Sequence, residues 1–186
     1  MAVEIVNRPA RQVASLYNWN PGDHLASFST KIVKMLSVLF VCTANICRSP
    51  MAMGLWQAKV GSSAANWRIE SAGTWAPEGE QPAAKTLMIL KERGIDLQSH
   101  HSRIVTEEML HSFNLILTME QGHKEAIRAE FPEIADRVYL LTEMIGKHYD
   151  INDPIGGSLI DFQDTAQEID RILTAGFEKI CELAEK

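Results

Sequence analysis

The sequence predicts an α/β fold: an open, doubly wound parallel sheet of about four strands with helices on both faces. Short apolar runs rich in β-forming residues alternate with segments that have the apolar spacing of helices. Right-handed crossovers join such units into a parallel sheet. The chain has 186 residues, of which 46% are hydrophobic, which is enough for one core and excludes general disorder.

The first core strand is predicted where the chain reads LSVLFVC, from Leu36 to Cys42. This run is too short for a helix and almost wholly apolar, as expected of a strand that is buried on both faces. A helix is predicted soon after it, with Ser49 as the N-cap and Pro50 at the first helical position. Its apolar face comprises Met51, Leu55 and Trp56.

Further strands and helices follow in alternation. Gly94 is placed to end one helix, and Pro132 is placed to stop another. Apolar residues at helical spacing in the last segment predict one long helix that covers a face of the sheet. The predicted elements are strands at 67–71, 113–119 and 137–141, and helices at 81–93, 120–131 and 161–186.

Residues 1–34 differ from the rest because their apolar residues show no sustained period. We therefore divide the chain into an N-terminal extension of unknown role, residues 1–34, and one domain, residues 35–186. Met35 directly precedes the first core strand. The extension is interpreted as a leader, a docking arm or an upstream start before a shorter natural protein, and the sequence does not choose between these.

Charge and cysteine content narrow the function classes. The net charge of −6 predicts no nucleic-acid or membrane partner, so an anionic substrate must be drawn by a local site. The N-terminus lacks the order of a secretory signal, and we expect a cytoplasmic protein. The three cysteines, Cys42, Cys47 and Cys181, are too few for a disulfide framework and lack zinc-ligand spacing.

The segment after the first strand carries the chemistry. Cys42 ends a buried strand, a short loop follows, and Arg48 stands where a helix begins. Backbone N–H groups that converge in such a loop bind a phosphate group and stabilise a thiolate, and an arginine adds a bidentate clamp. Cys42 is therefore a candidate nucleophile. The candidate phosphate-binding residues are Thr43, Ala44, Asn45, Ile46, Cys47 and Arg48.

The run VCTANICRSP resembles the phosphate-binding loop of the low-molecular-weight protein-tyrosine phosphatases. The resemblance extends from about Met35 to the C-terminus, and it implies the family's fold, with the phosphate-binding loop after the first core strand and the strand order 2-1-3-4. Further segments match in the family's order. They are Ser71-Ala72-Gly73-Thr74, His100-His101-Ser102-Arg103, Leu115-Ile116-Leu117-Thr118-Met119 and Asp153-Pro154.

The resemblance implies a two-step hydrolysis of phosphomonoesters on proteins, without a metal or cofactor. Cys42 attacks phosphorus, Arg48 and the loop amides hold the phosphoryl oxygens, and Asp153 protonates the leaving group and later activates water. Phosphate and vanadate-like oxyanions are expected to inhibit. The resemblance also assigns Asn45, Ser71 and His100 to support of the loop. Ser49 would donate to the Cys42 sulfur, and Cys47 would form a reversible disulfide with Cys42.

The substrate is less sharply specified. Ile46, Trp75 and Ile155 are the candidate wall residues for the substrate side chain. Ile46 resembles the phosphotyrosine-directed members, whereas the Asp-Pro-x-Gly-Gly-Ser form of residues 153–158 resembles the branch that acts on phosphoarginine. Phosphotyrosine is the leading prediction and phosphoarginine the alternative.

Two other functions are weighed against a phosphatase. A phosphoprotein-binding module without turnover is a third reading, although such a module need not retain the acid Asp153. Thioredoxin-coupled arsenate reductases share the fold but need further redox cysteines, and residues 99–122 contain none. Ala44 stands where the family loop commonly has glycine. Alanine is tolerated at this position if its φ is negative.

Overall fold

The computed structural model describes residues 35–186, so the predicted extension at 1–34 lies outside the described residues. Four strands form one parallel sheet in the order β2-β1-β3-β4, which confirms the predicted topology. The strands are β1 Leu36–Cys42, β2 Trp67–Gly73, β3 Leu115–Thr118 and β4 Val138–Leu140.

Helices cover both faces of this sheet. They are α1 Arg48–Val60, α2 Ala84–Glu92, α3 Glu107–Ser112, α4 Gln121–Glu130, α5 Leu159–Ala175 and α6 Phe177–Ala184. Short 3-10 helices at Gly61–Asn66, Pro132–Arg137 and Leu141–Ile145 join some of these elements. Among residues 35–186, no helix is long and apolar enough to span a bilayer.

The alternation of side chains along β1 explains the two apolar layers. Val38 and Phe40 point into a core formed with α1, α2, α5 and α6, whereas Leu39 and Val41 point into a second core with α3 and α4. All four side chains are fully buried. Successive residues of a strand face opposite sides of the sheet, so a continuous apolar run is the pattern that a central strand requires.

The start of α1 differs from the prediction. The helix begins at Arg48 with Cys47 at the N-cap, so Ser49 is not the cap and Pro50 is the third helical residue. The Ser49 hydroxyl is not available to cap the helix because it bonds the Cys42 sulfur, the Asn45 amide and the Ala72 carbonyl. Pro50 is tolerated there because the N–H groups of the first helical turn have no partner within the helix.

The prediction of one long C-terminal helix at 161–186 is wrong. Two helices, α5 and α6, meet at Gly176. A Cβ atom at Gly176 would lie 2.6 Å from the Met144 Cβ atom, so the glycine permits a close approach of the chain to the 3-10 helix Leu141–Ile145. The sequence prediction also missed α3, which Thr106 caps by accepting a hydrogen bond from the Met109 N–H at 3.2 Å.

The strand register brings the ends of three strands together. Cys42 at the end of β1 pairs with Gly73 at the end of β2, and Val41 pairs with Thr118 at the end of β3. The chain passes from β1 to β2 on one side and then to β3 on the other. Ligands of open α/β sheets bind at such a switch point, beyond the carboxyl ends of the strands.

Candidate active site

Cys42 is the last residue of β1, and its side chain is buried at the base of the loop that follows. The Cys42 Sγ accepts a hydrogen bond from the Asn45 N–H at 3.3 Å, and it lies 3.0 Å from the Ser49 Oγ. Ser49 itself accepts from the Asn45 side-chain amide at 2.9 Å. The one Ser49 proton has two acceptors within reach, the Cys42 sulfur and the Ala72 carbonyl oxygen at 3.3 Å, and when it points at the sulfur it helps to stabilise a thiolate.

Asn45 holds the loop in shape from its centre. It is the one non-glycine residue with a positive φ in the part of the chain that the structure describes, at 56°, a conformation that asparagine tolerates better than most residues. Its side-chain amide also donates to the Ser71 Oγ at 2.9 Å, and its Oδ1 accepts from the Arg103 N–H at 3.1 Å. Ala44 therefore keeps a negative φ, which is the condition for alanine at that position.

The residues expected to support the loop lie against Asn45. Ser71 receives the amide hydrogen bond, and the His100 Nε2 lies 3.2 Å from the Asn45 carbonyl oxygen. That oxygen can only accept, so His100 Nε2 carries the proton. Burial lowers the pKa of His100 below its usual value, which keeps the ring neutral at physiological pH.

The end of β2 closes the loop from the other side. The N–H groups of Thr74 and Trp75 donate to the carbonyls of Cys42 and Thr43, each at 2.9 Å. A Cβ atom at Gly73 would lie 2.3 Å from the Thr43 carbonyl oxygen, so a side chain there would displace the loop. The Ser-Ala-Gly-Thr segment thus has a steric reason for its glycine.

Arg48 is fully buried, with 1% of its surface exposed, and its guanidinium joins four partners. The Nη1 atom donates to the Glu120 carboxylate and to the Ile151 carbonyl at 3.0 Å. The Nη2 atom donates to the Asp153 Oδ2 at 2.6 Å and to the Thr43 Oγ1 at 3.3 Å. The Nε atom is buried and has no hydrogen-bond partner among the described residues.

Asp153 and Glu120 flank Arg48 with two carboxylates, each about one-third exposed. The Asp153 Oδ1 also accepts from the Ile155 N–H at 3.1 Å, which fixes the turn that carries the acid. Lys85 on α2 donates to the Gly157 carbonyl farther along this turn. Asp153 is therefore held at the guanidinium with one face open to solvent.

Cys47 lies at the junction of the loop and α1, and its side chain is buried. Burial, together with the neighbouring Asp153 and Cys42 charges, raises the pKa of Cys47 to about 12. Cys42 and Cys47 are both free cysteines. The Cys47 thiol thus remains protonated at physiological pH.

The three predicted wall residues differ in their burial. Trp75 is 77% exposed and Ile155 is 56% exposed, on the segments that follow β2 and Asp153. Ile46 is half-buried, and part of its side chain packs on the larger core.

Two residues beside Arg48 escaped the sequence analysis. Glu120 directly precedes α4, and His123 lies in the first turn of α4 with its Nε2 atom 3.0 Å from the Thr43 Oγ1. Both follow the carboxyl end of β3, which is the neighbour of β1 at the switch point. The rule that ligands bind beyond these strand ends could have indicated them.

A buried cysteine whose sulfur accepts from a loop N–H group, together with a buried arginine that is paired with a carboxyl group, is the arrangement of a cysteine-dependent phosphatase. The family model described as low molecular weight phosphotyrosine protein phosphatase matches residues 37–185. The chain therefore belongs to that family.

The proteins similar to this chain include some named as arginine phosphatases and others named as tyrosine phosphatases. A protein-arginine-phosphatase of Bacillus subtilis is 35% identical over 139 residues, which are 74% of this chain and 92% of the relative. The crystal structure of the T. tengcongensis low molecular weight protein tyrosine phosphatase matches with a TM-score of 0.73 and 38% identity, over 77% of this chain and 99% of that one. Vibrio vulnificus Wzb in complex with benzylphosphonate matches with a TM-score of 0.71 and 32% identity, over 78% of this chain and 99% of that one.

Proposed function

We propose that this chain hydrolyses phosphomonoesters on proteins through a phosphocysteine intermediate at Cys42. The observation that carries the proposal is the pairing of a buried, hydrogen-bonded Cys42 thiol with the buried Arg48 guanidinium, whose Nε atom has no partner among residues 35–186. A buried N–H without an acceptor costs free energy. An oxyanion bound over the loop would supply that acceptor.

In the first step the Cys42 thiolate attacks phosphorus, a P–S bond forms, and the bond from phosphorus to the leaving oxygen breaks. Asp153 gives its proton to that oxygen. In the second step a water attacks the phosphocysteine, Asp153 takes one proton from it, and the P–S bond breaks to release phosphate and the thiolate. Phosphoryl transfer depends mainly on positioning and charge stabilisation, which Arg48 and the loop amides supply.

The contacts of Arg48 suit this role. Glu120 and the Ile151 carbonyl hold the Nη1 atom, so the plane of the guanidinium is set before a ligand arrives. The Nε atom has its N–H free for one phosphoryl oxygen, and the neighbouring Nη2 atom would meet a second oxygen by sharing the N–H group that Asp153 accepts. Because Asp153 must be protonated while Cys42 is ionised, kcat/KM should follow a bell-shaped pH profile with its maximum on the acidic side of neutrality.

Phosphotyrosine is the substrate that we propose first. Three apolar side chains near the loop support this choice. Trp75 and Ile155 are exposed on the segments that flank the loop, and Ile46 lies within the loop itself. Such side chains favour contact with the flat apolar surface of an aryl ring. The T. tengcongensis relative is named as a tyrosine phosphatase, which also favours this reading.

Phosphoarginine is the second candidate; in this substrate the P–N bond to the guanidinium group breaks, and Asp153 would protonate the leaving nitrogen. The B. subtilis relative is named as a protein-arginine-phosphatase, and the turn after Asp153 carries Ile155, Gly156 and Gly157 instead of aromatic residues. The measurement that separates the two substrates is kcat/KM on phosphotyrosine and phosphoarginine peptides at matched pH. Replacement of Ile46 by Thr should raise the phosphoarginine to phosphotyrosine ratio, and an unchanged ratio would mean that Ile46 is not the discriminator.

We also propose that Cys47 protects the nucleophile. Peroxide would oxidise the Cys42 thiolate to a sulfenic acid, which condenses with the Cys47 thiol to a disulfide with loss of water. Peroxide inactivation of the unmodified chain should then be reversed by dithiothreitol. Inactivation of Cys47→Ala should become irreversible, and equal recovery of the two proteins would count against this role.

Turnover itself is tested with a chromogenic aryl phosphate. We expect hydrolysis that vanadate inhibits and chelators leave unchanged, and no hydrolysis by Cys42→Ser. Oxyanion binding without turnover would favour a phosphoprotein-binding module, and a requirement for a divalent metal would favour another phosphatase chemistry.

A further inference from the structure

We propose that His123 is a positioning residue that acts through Thr43 on Arg48, and that it turns the Thr43 hydroxyl proton towards an oxyanion in the loop. The proposal rests on the proposed function of the loop. His123 lies in the first turn of α4 and is 8% exposed. Glu120 at the start of α4 bonds Arg48, and the His123 imidazole in the first turn of that helix bonds Thr43, which is another partner of the Arg48 guanidinium.

The first step is the hydrogen bonding of the Thr43 oxygen. The Arg48 Nη2 atom lies 3.3 Å from the Thr43 Oγ1, and the His123 Nε2 lies 3.0 Å from the same oxygen. A guanidinium can only donate, so Thr43 accepts from Arg48. A hydroxyl has two lone pairs and one proton, so the remaining question is whether Thr43 accepts from His123 or donates to it.

The other ring nitrogen of His123 answers this question. The Nδ1 atom is buried and has no hydrogen-bond partner in the part of the chain that the structure describes. A proton on Nδ1 would be a buried donor without an acceptor, which proteins avoid more strictly than an unused acceptor. The favoured ring therefore carries its proton on Nε2 and donates it to Thr43.

The charge of the surroundings supports a neutral ring. Burial lowers the pKa of His123, and the Arg48 charge lowers it further, whereas Glu120, Asp150 and Asp153 act in the opposite direction. The net direction is downward. Protonation would add the unpaired Nδ1 donor and a second positive charge beside Arg48, so the neutral form with its proton on Nε2 satisfies both the hydrogen bonds and the charges.

The tautomer of His123 decides where the hydroxyl proton of Thr43 can point. With both lone pairs taken by Arg48 and His123, Thr43 has only its own hydroxyl proton left to donate. Thr43 is half-buried beside the Nη2 edge of Arg48, the edge proposed to meet phosphoryl oxygens. Thr43 thus becomes a hydrogen-bond donor to the oxyanion, and His123 fixes this direction.

A double-mutant cycle tests this coupling. We expect His123→Leu to lower kcat/KM on an aryl phosphate about five- to tenfold, the worth of one lost hydrogen bond. His123→Leu in a Thr43→Val background should cause little further loss, because its effect passes through the hydroxyl. Additive losses, or no loss in His123→Leu alone, would overturn the proposal.

Conservative variants separate positioning from packing. His123→Gln retains an N–H donor near the Nε2 position, and it should recover most of the activity that His123→Leu loses. Failure of this rescue, with the variant folded by thermal denaturation, would contradict a hydrogen-bonding role. His111→Gln is the matched control, because His111 is an exposed histidine on α3 that bonds Glu133 and not the loop.

A spectroscopic measurement on the unmodified chain reports the tautomer of His123 without depending on turnover. Ring-nitrogen NMR of isotope-labelled histidine should show His123 neutral at pH 7, protonated at Nε2 and bare at Nδ1, with its signals assigned by their loss in His123→Gln. A proton on Nδ1 would refute the inference. If Cys42→Ser retained full turnover, the proposed function would fail instead, so the two failures are distinguishable.

Discussion

The floor and the rim of the site are built differently. In the floor, Asn45, Arg48 and Ser49 are all at most 1% exposed, and each makes several hydrogen bonds, at least one of them to a residue distant in sequence. In the rim, Trp75 and Ile155 are mostly exposed. The contrast separates two tasks: the floor holds the groups proposed for phosphoryl chemistry, and the rim presents the surface proposed to choose a substrate.

Substitutions in the floor and in the rim should differ in their free-energy cost. A buried polar group that loses its partner costs about 1–3 kcal/mol, whereas an exposed side chain contributes through smaller contacts with its ligand. Substitutions in the floor should therefore reduce stability and turnover for every substrate. Substitutions in the rim should change the ranking of substrates and leave stability nearly unchanged.

The largest effect is expected from Arg48→Lys. Lysine cannot reproduce the planar fork that meets Glu120, Asp153 and the oxyanion together, and we expect kcat/KM to fall about 10²- to 10³-fold on every substrate. Steady-state kinetics with aryl phosphate and with a phosphopeptide measure it. A fall below about tenfold would show that charge alone suffices and that the fork is not needed.

Asn45→Ala should follow in size. It removes donors to Ser49 and Ser71 and the acceptor for the Arg103 N–H, and it places alanine at a positive φ. We expect a loss of about 2–4 kcal/mol in the free energy of unfolding, and a fall in kcat/KM of at least about tenfold.

The control for this variant is Asn114→Ala, at the opposite end of the sheet. Asn114 bonds Ser37 through its side chain at 2.7 Å, so it also loses a hydrogen bond but does not touch the loop. Urea denaturation and steady-state kinetics of both proteins make the comparison. Equal effects on kcat/KM would mean that Asn45 acts through general stability and not through the shape of the loop.

The smallest effect is expected in the rim. Trp75→Ala should raise KM for phosphotyrosine peptides about three- to tenfold, the worth of one aromatic contact, and change the unfolding free energy little. Met88→Ala on α2 is the matched control, because Met88 is another exposed large apolar side chain at 51% exposure. An unchanged KM would remove Trp75 from the substrate wall and break the proposed division between floor and rim.

The local parts of this account were predictable from the sequence. The buried run of β1 and the spacing of Cys42 and Arg48 lie within one short stretch, so periodicity and turn chemistry indicated them. The N-cap role of Ser49 was misjudged because serine before proline is typical of an N-cap, whereas its contact with the Cys42 sulfur was expected. The folded loop adds the Asn45 amide and the Ala72 carbonyl as further partners of the hydroxyl.

The long-range parts were not predictable in the same way. Glu120 and His123 reach the loop from more than 70 residues away, and only the pairing of β3 with β1 brings them there. The break between α5 and α6 likewise depends on the approach of Met144 to Gly176. A glycine within an amphipathic pattern does not by itself predict a break, because isolated glycines are tolerated in helices at a modest cost.

The central claim is that Cys42 carries the phosphoryl group during turnover. Asp153→Asn should slow release of the leaving group and hydrolysis of the phosphocysteine, so an activated aryl phosphate, which needs little help from the acid, should load the enzyme. Rapid acid quench and peptide mass spectrometry should then find one phosphoryl group on the peptide that contains Cys42, and none in Cys42→Ala/Asp153→Asn. A phosphoryl group on another residue, or turnover with no adduct in quenched samples, would contradict the account.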